Sequence, residues 1–265
     1  MRLRIDLAYD GTGFHGWATQ PGLRTVQGEL DAALATVLRV PVVQTVCAGR
    51  TDTGVHARGQ VVHFDVDHIT DASLDELPRR LNGVLSSDVR VRRVGRAPNG
   101  FDARFSPEWR RYAYRTADTA TAVDPLARAH VLTWPRPLDE AAMRVGSEAL
   151  LGLRDFASFC KRREGATTVR TLLELSWTRT EGGVLVATVV ADAFCHHMVR
   201  SLVGCLMTVG EGTRPPEWAA QILTAGVRDP RVRVAPARGL TLEEVSYPPD
   251  GELAARADLT RARRT

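Results

Sequence analysis

The sequence predicts an α+β protein of two ferredoxin-like (RRM-like) halves. Their sheets are expected to join into one extended, mainly antiparallel sheet, with helices on one face and a cleft across the other. Three observations carry this reading. Apolar residues alternate with period two in some stretches and recur with the helical period in others. Residues 1–106 read strand, helix, strand, strand, helix, strand. Residues 107–250 repeat that order, in elements rather than in residues.

In the first half, Arg2 to Tyr9 alternates strictly, with Leu3, Ile5, Leu7 and Tyr9 on one face of a half-buried strand. A helix is expected from about Thr25, where Val26, Leu30, Ala33, Leu34, Val37 and Leu38 share one side. Strands follow at Val42 to Ala48 and Gln60 to Val66, spaced as antiparallel neighbours with a polar loop at one end. His56 reads as a loop residue and His63 as a strand residue on the polar face. Ser73-Leu74-Asp75-Glu76 has capping-box spacing and opens a short helix through Leu81, with Pro78 tolerated only in a first turn. Val89 to Val94 closes the half, and Asn99 to Pro107 reads as a linker at the domain boundary.

The second half opens on the strand Arg110 to Arg115, in which Tyr112 and Tyr114 share a face. A helix over Asp139 to Leu151 precedes a hairpin, Thr171 to Thr180 and Val184 to Ala191, turning at Glu181-Gly182-Gly183. Then come a helix from His196 to Val209, a short one around Trp218, Ile222 and Leu223, and a last strand from Leu240 to Tyr247. Residues 251–265 form a basic tail, and its end, Arg256 to Thr265, is expected to be poorly ordered.

At 265 residues, with 44% hydrophobic and 25% charged residues, the chain has an ordinary globular composition. There is no apolar run of membrane-spanning length and no signal-peptide core after Met1, so a cytoplasmic location is expected. Cys47, Cys160, Cys195 and Cys205 make no Cys-x-x-Cys pair, which argues against a disulfide framework and a zinc ribbon. Cys195-His196-His197 lacks a second ligand pair at metal spacing, so no metal is expected. The net charge is +4 and the isoelectric point near 9.2, and Lys161 is the single lysine. Arginine therefore supplies nearly all the positive charge, and its planar fork suits phosphates and base faces. The loop Cys160-Lys161-Arg162-Arg163-Glu164 is basic, either a solvated loop or a border of the cleft.

Two loops carry the chemistry. Asp10-Gly11-Thr12-Gly13-Phe14-His15-Gly16-Trp17 contains a literal G-x-G-x-x-G after a strand, but Pro21-Gly22 separates it from the helix. A dinucleotide site needs the helix to open on the glycines, so a flexible aromatic loop is expected instead, with Phe14 and Trp17 in the core. In Ala48-Gly49-Arg50-Thr51-Asp52-Thr53-Gly54-Val55-His56-Ala57 an aspartate stands between glycines at a strand end. Asp52 is either a reactive carboxylate or the acceptor of Thr53 and Gly54 N–H bonds that shape a turn. Tyr112 among arginines is either a core residue or a platform on which a base stacks.

The Asp52 loop closely resembles the signature of the tRNA pseudouridine synthase A family. Three further segments agree with that family in order: Tyr9 to Trp17, Phe101 to Ser106 with Arg110 to Tyr114, and His196-His197-Met198-Val199-Arg200 through Gly204. The resemblance spans roughly Arg2 to Pro248. It implies an isomerase, a tRNA pseudouridine(38–40) synthase, that converts uridine to pseudouridine in the tRNA anticodon stem-loop without cofactor or metal. It further implies a homodimer in which one tRNA touches both subunits. By the same resemblance Asp52 is the catalytic aspartate, Arg50 helps hold the target nucleotide out of the stack, Tyr112 packs on the target base and Arg200 pairs with the aspartate. Ala18 departs from the family, where glutamine commonly follows the tryptophan. The competing readings are a tRNA-binding module or RNA chaperone without turnover, and, more distantly, a dinucleotide enzyme.

Overall fold

The alternation at the N-terminus becomes β1 (Arg2–Tyr9), in which Leu3, Ile5, Leu7 and Tyr9 are buried and their neighbours half-exposed. The computed structural model describes residues 1–161 and 167–262. It divides into two compact units, Met1–Glu108 with Leu242–Ala262, and Trp109–Thr241. The fold is α+β, its strands mainly antiparallel. No helix among the described residues is long and apolar enough to cross a membrane.

In the first unit, α1 (Val26–Leu38) starts at Thr25, whose side chain accepts the Gly28 N–H as an N-cap. Val26, Leu30, Ala33, Leu34 and Val37 form its buried stripe. The next strand, β2 (Val46–Cys47), is far shorter than the Val42 to Ala48 expected. The Asp31 carboxylate on α1 accepts both the Thr45 N–H and the Thr45 hydroxyl, and Gln27 donates to the Thr45 carbonyl. Those backbone groups are thereby taken from any ladder, and Val42 lies in solvent. After β3 (His56–Asp65) comes α2 (Asp71–Val84). Its N-cap is Thr70, which accepts the Ser73 N–H, so Ser73 does not open a capping box. Pro78 stands in the helix interior rather than its first turn, while Leu74, Leu77 and Leu81 are buried. With β4 (Val89–Arg96) the element order of the first half is as expected. β1 lies between β3 and β4, antiparallel to both, and β2 pairs antiparallel with β3.

The stretch expected to be a linker is packed instead. Phe101, Asp102, Ala103 and Ser106 are buried. Asp102 Oδ1 accepts the N–H groups of Arg104 and Phe105, and its Oδ2 accepts from Arg261. Burial opposes ionisation, but these N–H groups together with His63 and Arg261 hold the Asp102 carboxyl below its usual range.

The second unit contains β5 (Trp109–Ala117), β6 (Leu132–Thr133), α3 (Glu140–Glu148), β7 (Gly152–Asp155), β8 (Val169–Arg179), β9 (Leu185–Ala191), α4 (Met198–Gly210) and α5 (Trp218–Ala225). Its sheet runs β5-β9-β8-β7, all antiparallel, with β6 parallel to β5. The short strands β6 and β7 are additions to the expected pattern. They carry no run long enough to show a period.

The chain ends with β10 (Leu240–Ser246) and α6 (Leu253–Arg261). From Leu242 onward this segment belongs to the first unit, whereas the sequence had placed residues 107–250 in one half. Side chains account for the difference. β10 lies beside β3, and Tyr247 donates to the Ala103 carbonyl. Ser106 donates to Leu253 O, and Arg261 pairs with Asp102 at 2.9 Å. The tail expected to be poorly ordered is thus helical as far as Arg261; Arg263 and Arg264 lie outside the described residues, as do Arg162, Arg163 and Glu164 of the basic loop.

Burial raises the Asp31 pKa to about 6, more than its bonds from Thr45 lower it. A carboxyl with a raised folded-state pKa costs nothing below its unfolded value near 3.8, and stability is lost as pH rises from there to about 6. Asp31→Asn keeps an acceptor for Thr45 and removes the charge. We expect it to be more stable than the parent by about 1 kcal/mol above pH 7, allowing for water at a part-exposed group, and equal to it at pH 4. Urea denaturation across that range checks this.

Candidate active site

The Asp52 loop runs from β2 to β3 and is held by residues of β1 and β3. Gln60, fully buried on β3, donates through Nε2 to the Gly49 carbonyl at 2.8 Å and to the Tyr9 hydroxyl at 3.3 Å. The Tyr9 hydroxyl in turn lies 2.8 Å from Thr51 Oγ1. These buried polar contacts fix the loop on either side of Arg50, whose side chain is exposed. The register between β1 and β3 slips by one residue between Leu7 and Tyr9, a bulge next to the loop.

The glycine loop supports the same turn from the other side. Gly11 to Gly13 forms one 3-10 turn, and Trp17 N–H donates to the Thr51 carbonyl. A Cβ on Gly11 would stand 2.0 Å from the Val55 carbonyl oxygen. Gly16, at φ +91°, has the Thr51 carbonyl oxygen 3.0 Å from the position of a Cβ. The glycines therefore admit another loop's backbone, and α1 begins nine residues after Gly16's own neighbour Trp17. Phe14 and Trp17 are buried, as expected, and Arg24 stacks over Phe14 at 4.1 Å while pairing with Asp88 and Glu29.

The turn does not depend on the Asp52 carboxylate at Gly54. The Gly54 N–H donates to the Phe14 carbonyl, and the Val55 N–H closes the turn onto the Asp52 backbone carbonyl. Gly54 has φ +76°, which suits glycine. Asp52 itself is half-buried, between buried Thr51 and exposed Thr53.

His63 lies on a strand as expected, but it is buried rather than on a polar face, and His56 is a strand residue rather than a loop residue. His56 begins β3 and is buried, its Nδ1 accepting the Gly11 N–H at 3.0 Å. His63 is buried as well and accepts the Ala103 N–H. Burial, aided by the Arg2 charge, pushes the His63 pKa down and keeps it an acceptor. Both rings serve the backbone of neighbouring loops.

In the second unit Tyr112 lies on β5 opposite Val189. Its ring is largely buried and meets Phe194 edge-on, centroids 5.1 Å apart. Tyr114 is fully buried, its hydroxyl donating to the Pro236 carbonyl, and burial raises its pKa. Arg110 is also buried and donates to the Asp192 carbonyl, so of the arginines beside Tyr112 only Arg111 is exposed.

Arg200 stands in the first turn of α4, which His197 enters in the left-handed conformation at φ 69°. Its Nε donates to the Ala235 carbonyl at 2.7 Å, and the Ala235 N–H donates back to the Arg200 carbonyl at 2.9 Å. A Cβ on Gly204 would stand 1.9 Å from the Arg233 carbonyl oxygen. That glycine is what lets the 233–235 segment reach the helix and orient the guanidinium.

Sequence reasoning missed Gln60, Phe194, Gly204 and Ala235 as supports, and it missed that Cys160 and Cys195 are joined by a disulfide. A polar Gln among the apolar residues of β3 was a usable signal. The cysteines, 35 residues apart, carry no spacing signature.

A family model described as tRNA pseudouridine synthase matches residues 7–106 and 147–248. Curated relatives named tRNA pseudouridine synthase A include that of Frankia casuarinae, 60% identical over 99% of this chain and 95% of its own. Those of Streptomyces griseus and Mycobacterium leprae are 56% and 50% identical, each over 94% of its own length and over 100% and 98% of this chain. Among solved structures, the archaeal box H/ACA sRNP Nop10-Cbf5 complex shares 11% identity, over 77% of this chain and 43% of that one, at a TM-score of 0.33.

Gly11→Ala should unfold at least 2 kcal/mol more easily than the parent, because its Cβ meets rigid backbone. Gly83→Ala, in α2 with open space at the Cβ, should be neutral or stabilised by about 0.5 kcal/mol. Paired urea titrations make the comparison.

Proposed function

The chain belongs to the tRNA pseudouridine synthase family, and we propose that it isomerises uridine to pseudouridine at positions 38, 39 and 40 of the anticodon stem-loop, with Asp52 as the reacting carboxylate. As a member it is an isomerase that acts on tRNA. The observation that carries the role of Asp52 is the construction of its loop. Backbone bonds and the support of Gln60, Tyr9 and Phe14 close the turn, so the Gly54 N–H is not what the Asp52 carboxylate is for.

The reaction breaks the bond from C1′ to N1 and forms one from C1′ to C5. The C5 proton leaves and N1 gains one, so the overall change is an isomerisation. Between the two bonds the uracil must turn while held, which calls for a fixed carboxylate, a flat wall and exclusion of water. Asp52 supplies the carboxylate. Tyr112, stiffened by Phe194, supplies the wall, and Arg200, oriented by Ala235, pairs with the carboxylate. Arg50, exposed beside Asp52, holds the extruded nucleotide by its phosphate. Flipping a stem nucleotide costs roughly a few kcal/mol, which arginine–phosphate contacts offset. The enzyme works as a cytoplasmic homodimer in this reading.

A tRNA-binding module without turnover would have no use for a rigidly supported aspartate beside an arginine. Asp52→Asn is expected to abolish tritium release from 5-labelled uridine in tRNA while tRNA affinity stays within about tenfold, roughly 1.4 kcal/mol. Stem-loops carrying one uridine each would map the positions in the same assay. Turnover retained by that variant would refute the role of Asp52.

Arg200→Lys loses the planar fork that Ala235 orients. Its turnover number should fall at least tenfold with little change in KM. A fall confined to KM would make Arg200 a binding residue only.

A further inference from the structure

We propose that Cys160 and Cys195 form a reversible redox site that sets the order of the 192–197 arch and, through it, the placement of Tyr112 and Arg200; its effect on turnover rests on the uridine isomerisation proposed above. The two residues are joined in a disulfide with their Cα atoms 5.8 Å apart, inside the usual range for such a bond. Neither lies in a strand or an α-helix. Cys160 ends the 3-10 turn Ala157–Phe159, and Cys195 lies between the end of β9 and the start of α4.

The arch is pinned at two places. At its start, Asp192 Oδ1 accepts the N–H groups of Thr171 and Ala193, and Arg110 donates to the Asp192 carbonyl. At its end, the Lys161 N–H donates to the His196 carbonyl, and the disulfide sits directly beside that bond. Phe194, the residue that meets the Tyr112 ring, lies between the two anchors. His197, in its left-handed conformation, leads straight into the turn that bears Arg200. Opening the disulfide removes the covalent part of the second anchor and leaves the hydrogen bond from the Lys161 N–H to the His196 carbonyl beside it.

The exposure of the two sulfur-bearing residues sets the direction of exchange. Cys195 is half-buried and Cys160 is buried, so an entering thiolate reaches Cys195 first. That attack forms a mixed disulfide on Cys195 and releases Cys160 as a thiolate, which takes up a proton. A second external thiol then frees Cys195, and the external pair leaves as a disulfide. Closure is the reverse: a low-molecular-weight disulfide accepts the two electrons and departs as two thiols. The remaining cysteines do not compete. Cys47 and Cys205 are buried, and burial pushes the Cys205 thiol up to about 12.

The full chain, equilibrated with glutathione disulfide and then denatured, should titrate two thiols, rising to four after dithiothreitol. Mass mapping should find the Cys160 and Cys195 peptides joined. Amides of residues 193–201 should exchange hydrogen at least tenfold faster in the reduced protein, and tritium release from stem-loop uridine should be at least threefold slower. Cys195→Ser and Cys160→Ser should each show the reduced behaviour under both conditions. Four thiols after glutathione disulfide, a disulfide that dithiothreitol does not open, or an active enzyme with equal turnover in both forms would overturn the proposal. Exchange that shifts as expected in a chain with no turnover in either form would uphold the redox site and fail the isomerase reading instead.

Discussion

A methyl group on Gly11 would stand 2.0 Å from the Val55 carbonyl oxygen, and the arrangement of the Asp52 loop depends on that space staying empty. Because it is empty, the glycine loop lies flat against the turn, and Phe14 and Trp17 take the Gly54 N–H and the Thr51 carbonyl as partners. With those groups satisfied from outside, the turn needs nothing from the side chain of Asp52 at Gly54. A reactive carboxylate can be held rigidly only if some other group does the structural work around it. Here close backbone approach does it, and a G-x-G-x-x-G that resembles a phosphate cradle has a different purpose.

The strand interior contributes a second constraint. Gln60 is fully buried, and leaving its amide unpaired would be costly, so its position and that of the Gly49 carbonyl are coupled. Tyr9 extends that coupling to Thr51. His56 and His63 act likewise, each spending a ring nitrogen on the N–H of a loop that has no ladder of its own. In this unit buried polar side chains on β1 and β3 take the place that secondary structure would otherwise hold for irregular backbone.

What could be read from the sequence follows from the same physics. The alternation of Leu3, Ile5, Leu7 and Tyr9 and the stripe from Val26 to Val37 are local patterns, and they appear as β1 and α1. The element order of the first half and the buried Phe14 and Trp17 were equally legible. Val42 to Thr45 looked like strand because nothing nearby shows that Asp31, from the preceding helix, captures the Thr45 backbone. Asn99 to Pro107 looked like linker because its partners, His63, Tyr247 and Arg261, are distant in sequence. Asp52, Arg50, Tyr112 and Arg200 were legible as motif members. Phe194 and Ala235, which position two of them, were not, because contacts of that kind leave no spacing to read.

The two units hold the Asp52 loop and the start of α4 by different means. The Asp52 loop is irregular backbone made rigid by many buried polar contacts, so its geometry resists change at any single one of them. Arg200 is carried on a regular helix, which is entered through a left-handed His197, and it exchanges hydrogen bonds with Ala235. A non-glycine residue at positive φ persists only where its surroundings hold it. The Cys160–Cys195 disulfide stands two residues before this one. An adjustable bond has leverage next to a conformation that must be held, so the entry to α4 is where a change in thiol chemistry reaches Arg200.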